Sequence, residues 1–232
     1  MMLNRNFKDF KFRHKRNQNQ IIYASKEIKG KDEILNLINN FLKEKNSFVF
    51  ESVEKGKIRG RYTIFGKNPD KIWEFNNKNS YLIQKNKKIK LKDKPDVLIE
   101  KIIEDFKFET PKNLPKICSL ISGYFSYDSI RYLEKIPNSC KNDLSLPDVR
   151  LLRPRTVVIH DNLKKEIFYI CNVFKDEKIT NYHNRYKEIR SDLIKLLIQS
   201  SIKNIDKKIN KNPKNIKVKS NTSKKRFLSM VN

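Results

Sequence analysis

Residues 149–173 read VRLLRPRTVVIHDNLKKEIFYICNV, and their reading decides the fold. Val149 to His160 and Glu166 to Val173 are runs rich in β-branched and aromatic residues. Between them, Asp161-Asn162 is a turn pair. The stretch is an antiparallel hairpin, so the sheet it belongs to is antiparallel at this point.

Working outward from it, Tyr182 to Ser201 forms an amphipathic helix, with Tyr186, Ile189, Leu193, Leu196 and Leu197 on one side. On the N-terminal side, Leu120 to Tyr127 is a strand with Gly123 inside it, and an isolated strand glycine marks a close backbone approach or a bulge. Asp128-Ser129 then starts a short helix that Pro137 stops. A loop containing Pro111 and Pro115 separates this half from an earlier one.

The earlier half has its own hairpins. Ile21 to Ile28 is a strand; a helix capped by Asp32 follows, with Ile34, Leu35, Ile38 and Leu42 at helical spacing. Residues 47–66, SFVFESVEKGKIRGRYTIFG, read as strand, turn and strand. A turn at Asn68-Pro69-Asp70 is expected to open a third strand with Ile72, Trp73 and Phe75. Residues 80–91 form a hairpin turning near Lys85-Asn86. Pro95 starts a helix to about Phe106, with Val97, Leu98, Ile102 and Ile103 as its apolar face. Irregularly placed helices among hairpins, with no internal repeat, imply an α+β domain of antiparallel, sandwich-like sheets with flanking helices.

The ends differ in composition. Residues 1–20 are a basic leader with no apolar core of a secretory signal, expected to be loosely packed. Residues 21–175 are the main domain, and 176–219 are the helix plus a Lys- and Asn-rich linker. Residues 220–232 start another helix, capped by Thr222 or Ser223, that has almost nothing to bury against.

The chain of 232 residues carries 52 Lys plus Arg against 26 Asp plus Glu, a formal charge of +26. The basic residues are spread evenly, mostly as Lys, and travel with Asn and Ile, as AT-rich codons would give. A nucleic-acid binder concentrates them in a stripe, so nucleic acid is not the expected partner. Cys118, Cys140 and Cys171 are odd in number and widely spaced, which fits a reducing cytoplasm rather than a disulfide or zinc framework. His14, His160 and His183 are too scattered for a metal site. No apolar run reaches the roughly 18 residues of a membrane span.

Catalytic constellations are sparse. The five glycines form no phosphate loop, and no Ser-His or Cys-His pair stands in a nucleophile context. Glu51 with Glu54 and Asp128 with Glu134 are the only acid pairs with a candidate spacing, and each suits a turn, cap or surface role. The roles of Arg153 and Arg155 stay open from the sequence, anchorage of the hairpin to neighbouring carboxylates being the plain alternative.

Three stretches taken in order resemble the N-terminal domain of anthranilate synthase component I. They are FVFESVEKGKIRGRYTIFG, GYFSYDSIRYLEKIP and LPDVRLLRPRTVVIHDNLKKEIFYICNV, covering about Tyr23 to Val173. Ser220-Asn221-Thr222 with Phe227 is similar to the opening of that family's chorismate-binding catalytic domain. The resemblance implies the smaller lobe of an enzyme that converts chorismate and glutamine-derived ammonia to anthranilate and pyruvate. It implies Mg²⁺ for the complete enzyme and no cofactor on this chain. A glutamine amidotransferase would be its partner, and the lobe would not be catalytic alone. It also implies an L-tryptophan feedback site formed by Phe50, Glu51, Ser52 and Val53, with Arg61 or Tyr62 from the facing strand. A hydroxyl can meet the zwitterion of an amino acid, and apolar walls can meet the indole. The lobe of aminodeoxychorismate synthase in folate synthesis looks alike, and a free-standing amino-acid-binding module is the reading from another class. The sequence departs from the family in Phe48-Val49-Phe50, where leucines are usual, and in Lys55, where glycine is common.

Overall fold

The computed structural model describes residues 3–28, 31–51, 60–76, 79–137, 144–201 and 219–231. Its helices are α1 (Phe7–Lys15), α2 (Lys31–Leu42), α3 (Pro95–Asp105), α4 (Tyr182–Ser201) and α5 (Lys224–Val231). Its strands are β1 (Gln20–Glu27), β2 (Phe48–Glu51), β3 (Tyr62–Asn76), β4 (Asn79–Gln84), β5 (Lys87–Leu91), β6 (Ser122–Phe125), β7 (Val149–Asp161) and β8 (Glu166–Val173). The class is α+β with antiparallel strand pairing, as expected, and the eight strands form one connected sheet.

That sheet runs β1-β8-β7-β3-β4-β5, with β2 added to the start of β3 and β6 to the start of β7. The hairpin β7–β8 pairs Thr156 with Cys171 through Asp161 with Glu166. Its turn is held by Asp161, whose Oδ1 accepts the backbone N–H groups of Leu163 and Lys164. The long pair β3–β7 is the spine, and it divides the sheet into two halves. In the first, β1, β8 and β2 flank it; in the second, β6, β4 and β5 do.

The halves meet at a bulge. Asn68-Pro69-Asp70 does not turn the chain, and β3 runs straight through it as one strand of 15 residues. From Pro69↔Pro154 to Lys71↔Arg153 the register advances two residues on β3 and one on β7. Two prolines face each other there, and neither has an N–H to donate. The ladder cannot close regularly at that pair, and an extra residue, Asp70, takes up the irregularity. Asn68 adopts φ 54°, within reach of asparagine.

Arg153 fills the junction. It is 8% exposed, donates Nε to Asp70 Oδ1 at 2.8 Å and Nη2 to Asp70 Oδ2 at 2.5 Å, and reaches Asp176 Oδ1 at 2.9 Å. Its guanidinium lies 3.9 Å over the Phe174 ring. Burial pushes the Asp176 carboxyl up, but hydrogen bonds from Lys71 and Arg153 outweigh it and hold it below the usual range. Arg155 approaches Glu177 at 3.4 Å, and Glu177 also accepts from Arg185 of α4 at 2.7 Å. Both arginines thus anchor the hairpin to carboxylates, a role the sequence left open.

The first half is covered on both faces. Phe10 of α1, Leu37 and Phe41 of α2, and Ile189, Leu193 and Leu196 of α4 pack on Ile22, Phe65, Val158 and Tyr169. On the other face, Leu114 and Cys118 cover Ile21, Val157, Ile159, Phe168 and Ile170. The expectation of a loosely packed leader is corrected here. Asn6 caps α1 by accepting from Asp9 N, Phe10 is fully buried, and His14 Nδ1 meets Tyr182 Oη at 3.0 Å. Charge dominates the leader's composition, yet Phe7 and Phe10 lie three apart on one helical face and find Tyr186.

In the second half, Leu98, Ile99 and Ile102 of α3 pack on Trp73, Phe75, Val149 and Leu151 on one face, while Ile72 and Leu152 are buried on the other. The helix face differs from the expected one: Val97 and Ile103 are exposed and Ile99 takes part. The β4–β5 turn has φ 49° at Lys85 and 61° at Asn86, the twisted two-residue turn that hairpins favour. Gly123 is required by close approach, because a Cβ there would sit 1.9 Å from the Arg150 carbonyl oxygen. Residues 127–132 form a 3-10 turn rather than an α-helix.

Candidate functional site

Strand β2 lies antiparallel to the start of β3, pairing Phe48↔Gly66, Val49↔Phe65, Phe50↔Ile64 and Glu51↔Thr63. Directly opposed residues share a face, and neighbours along a strand alternate. Phe48, Phe50, Gly66, Ile64 and Tyr62 therefore share one face. Val49, Glu51, Phe65 and Thr63 share the other. The two β2 phenylalanines stack with centroids 5.1 Å apart. Gly66 makes room for them, since a Cβ there would lie 2.6 Å from the Phe48 ring. Phe50 is half exposed, while Ile64 and Tyr62 are partly buried against Ile159 and its neighbours. The result is an aromatic ledge at the free edge of the first half-sheet.

The end of this ledge is fixed by an ion pair. Arg61 donates Nη2 to Asp161 Oδ2 at 2.7 Å and Nε to Oδ1 at 3.1 Å, and its guanidinium lies 4.9 Å over the Tyr62 ring. The hydrogen bond to Asp161 raises the guanidinium above its ordinary value. Burial pushes the Asp161 carboxyl up, but Arg61 and the backbone N–H groups of Lys164 and Leu163 together hold it below the usual carboxylate range. Asn162 closes the corner by donating its backbone N–H to the Arg61 carbonyl at 2.8 Å. Next in the ladder, His160 pairs with Thr63, and burial lowers its pKa.

Of the residues singled out from sequence, Phe50 and Tyr62 come together on one face, and Arg61 stands at their end. Glu51 lies on the opposite face and is exposed. Ser52, Val53 and Glu54 lie outside the described residues. Arg61 has two of its guanidinium nitrogens engaged by Asp161, so it shapes the strand end as well as charging it. Sequence reasoning treated Asp161 as a turn residue only. Its partner is 100 positions away, and the sole local signal was the Asp-Asn turn itself. Phe48 and Gly66 were also passed over as a unit, although a glycine facing an aromatic across a hairpin is legible once the register is known.

Of the two acid pairs, Glu51–Glu54 has its second member outside the described residues, and Asp128 of the other is engaged by a neighbouring cation. Asp128 is bound to Arg131 at 2.7 Å. Among the described residues, no group of three or more His, Cys, Asp or Glu is placed to hold a metal ion. Burial pushes the Cys171 thiol up to about 11, and Cys118 is raised for the same reason, so both stay protonated near neutrality. Cys140 lies outside the described residues. No helix among the described residues is long and apolar enough to cross a membrane.

The chain is similar to anthranilate synthase component 1 of Cereibacter sphaeroides, 31% identical over 170 residues, which is 71% of this chain and 34% of that protein. It is 30% identical over 205 residues to anthranilate synthase component 1 of Acetivibrio thermocellus, covering 85% of this chain and 41% of that protein. The chain thus spans well under half the length of these curated relatives. Among solved structures, anthranilate synthase component I from Streptococcus pneumoniae aligns over 77% of this chain and 37% of that one, with a TM-score of 0.50 at 20% identity, a likeness of fold. No family model matches the chain.

Proposed function

The chain is a homologue of the anthranilate synthase component 1 family, and from that premise we propose that it is the tryptophan-regulated lobe of such an enzyme. The observation that carries this reading is the ledge of Phe50, Ile64 and Tyr62 at the strand end that Arg61 and Asp161 lock. An indole needs a flat apolar wall, and an α-amino acid needs polar groups at the end of that wall. Phe50 and Tyr62 supply the wall. Ser52 and Val53, which follow Glu51 in sequence, are the residues proposed to complete the site, a Ser Oγ being able to donate and accept. Glu51 faces away from the ledge, on the side of Thr63.

The enzyme as a whole would convert chorismate and ammonia from a glutamine amidotransferase partner to anthranilate and pyruvate. The chorismate and Mg²⁺ ligands would belong to a catalytic domain that this lobe accompanies. Among the described residues no group of three or more His, Cys, Asp or Glu is placed to hold a metal ion. The lobe's part is regulatory. Tryptophan bound at the strand end favours a less active arrangement of lobe and catalytic domain, which requires different affinities for the two arrangements.

The test is anthranilate formation by the complete enzyme, with and without tryptophan. Ser52→Phe is expected to raise the inhibitory tryptophan concentration roughly tenfold or more, within the usual range of allosteric coupling, at nearly unchanged turnover. Inhibition identical to that of the unaltered enzyme would remove this strand end from the effector site.

A further inference from the structure

Gly66 stands inside β3, where a glycine costs chain entropy and offers no side chain to pack. Backbone conformation does not call for it: among the described glycines, the left-handed φ belongs to Gly60. Space is the reason it is there. A Cβ on Gly66 would lie 2.6 Å from both Cε1 and Cζ of Phe48, and 3.0 Å from the carbonyl oxygen of Thr156. The Phe48 ring therefore rests on the bare backbone of β3, in the place a side chain would have taken.

These two neighbours of Gly66 differ in what they can yield. Thr156 lies in β7, paired on one side with Lys67 of β3 and on the other with Cys171 of β8. Phe48 lies in β2, a strand of four residues that pairs with β3. Anything that crowds Gly66 thus moves the Phe48 ring and leaves the long ladder alone. The ring meets Phe50 next, with centroids 5.1 Å apart and planes inclined at 40°, and Phe50 is the exposed wall of the ledge.

Tyr62, Ile64 and Gly66 follow one another along one face of β3. At the Tyr62 end the ledge is closed by Arg61 and Asp161. At the Gly66 end it is closed by Phe48. The row of Gly66, Val157 and Ile170 runs from there into the core, where Val157 and Ile170 are fully buried. A flat ring lying on Phe50 and Ile64 would meet Phe48 at its inner edge. The cleft lined by Arg13, Asn19, Asp105, Glu109 and Lys175 has no such arrangement, because its ions already pair with one another, Arg13 with Glu109 and Lys175 with Asp105.

We propose that Phe48, seated over Gly66, sets how far an aromatic amino acid enters the ledge, and that Gly66 is the positioning residue for it. The inference rests on the reading of this strand end as an effector site and adds the residue that fixes its depth. Effector affinity then depends on the fit between Phe48 and Gly66, although Gly66 has no side chain to offer the effector.

The test follows tryptophan inhibition of anthranilate formation by the complete enzyme, each variant scaled to its own uninhibited rate. Gly66→Ala pushes the ring over the ledge and should raise the half-inhibiting tryptophan concentration roughly tenfold. Phe48→Leu removes Cε1 and Cζ and leaves a gap at the same place, for a rise of about threefold. Together they put a methyl group where the ring was. The double variant should return to within about threefold of the parent, whereas independent effects would multiply to roughly thirtyfold. Phe48→Trp crowds the ledge without altering β3 and should act in the direction of Gly66→Ala. Urea midpoints report whether each variant folds. Unchanged inhibition in folded Gly66→Ala and Phe48→Trp would overturn the inference, and so would a double variant in which the two effects multiply. A parent enzyme that tryptophan does not inhibit would sink the regulatory reading and this inference with it. Resistance in Ser52→Phe beside full sensitivity in Gly66→Ala and Phe48→Trp would sink this inference alone.

Discussion

The two halves of the sheet share the strands β3 and β7, yet they are finished differently. Around Phe65 and Val158 the sheet is covered on both faces, by α1, α2 and α4 on one side and by the segment carrying Leu114 and Cys118 on the other. Around Trp73 and Leu151, α3 covers one face together with Ile121 and Tyr132, and on the other only Ile72 and Leu152, next to the bulge, are buried among the described apolar residues of β3 and β7. The opposite face there carries a polar row. Glu74 accepts from Arg150 at 3.0 Å and from Lys88 at 2.8 Å, and Tyr124 stands across from Arg150. Burial raises the Glu74 carboxyl, but those two cations outweigh it and hold it below its ordinary value. One half is built as a closed core. The other is built as a half-open layer whose remaining apolar groups lie at its rim.

The largest effect should come from the place where the halves join. Arg153→Met would leave Asp70 and Asp176 without their common cation in a nearly closed site. A loss of about 3–5 kcal/mol in urea unfolding is expected, because removing one partner of a buried pair strands the other. A change below about 1 kcal/mol would mean that the bulge is held by the ladder alone.

A matched pair of leucines sharpens the contrast between the halves. Leu37 of α2 is fully buried, and Leu37→Ala should cost about 2–4 kcal/mol through lost burial and the cavity it leaves. Leu133, in the second half, is exposed, and Leu133→Ala in the isolated chain should stay within about 0.5 kcal/mol. Similar losses at both positions would erase the distinction.

A smaller loss than at Arg153 or Leu37 is expected at the end of the ledge. Asp161 is nearly buried and its carboxyl is held below the usual range, so it binds its proton more weakly folded than unfolded. Its contribution is present above the unfolded carboxylate pKa of about 3.9 and is lost as pH falls through the lower folded value. Asp161→Asn should therefore cost about 1–2 kcal/mol at neutral pH, for the charge-assisted bonds to Arg61 and the turn. The difference from the parent should shrink in acid denaturation curves below about pH 4. A difference that stays constant with pH would show that the carboxylate charge is not what Arg61 needs.

Parts of the candidate site were legible before folding. The β2–β3 hairpin brings Phe50 near Tyr62 by register alone. Alternation along β2 could also have told that Glu51 faces away from Phe50, since adjacent strand residues never share a face. The Arg61–Asp161 lock was not legible, because the hairpin that carries Asp161 reaches Arg61 only when β7 pairs with β3. The break expected at Asn68-Pro69-Asp70 failed for a related reason. Asn-Pro-Asp is turn chemistry in isolation, but twelve paired positions between β3 and β7 outweigh it and reduce the turn to a bulge.

The sequence by itself determined the elements: the β7–β8 hairpin, the Lys85-Asn86 turn, the need for a glycine at 123 and the buried stripe of α4. Each depends on spacing and turn chemistry within a few residues. The tertiary structure alone decided that β3 is a single strand and that α1 is part of the core. It also decided that Arg153 is a buried clasp rather than a surface charge. Those outcomes depend on which distant groups meet, and burial, pairing and the closing of a ladder are settled only by that meeting.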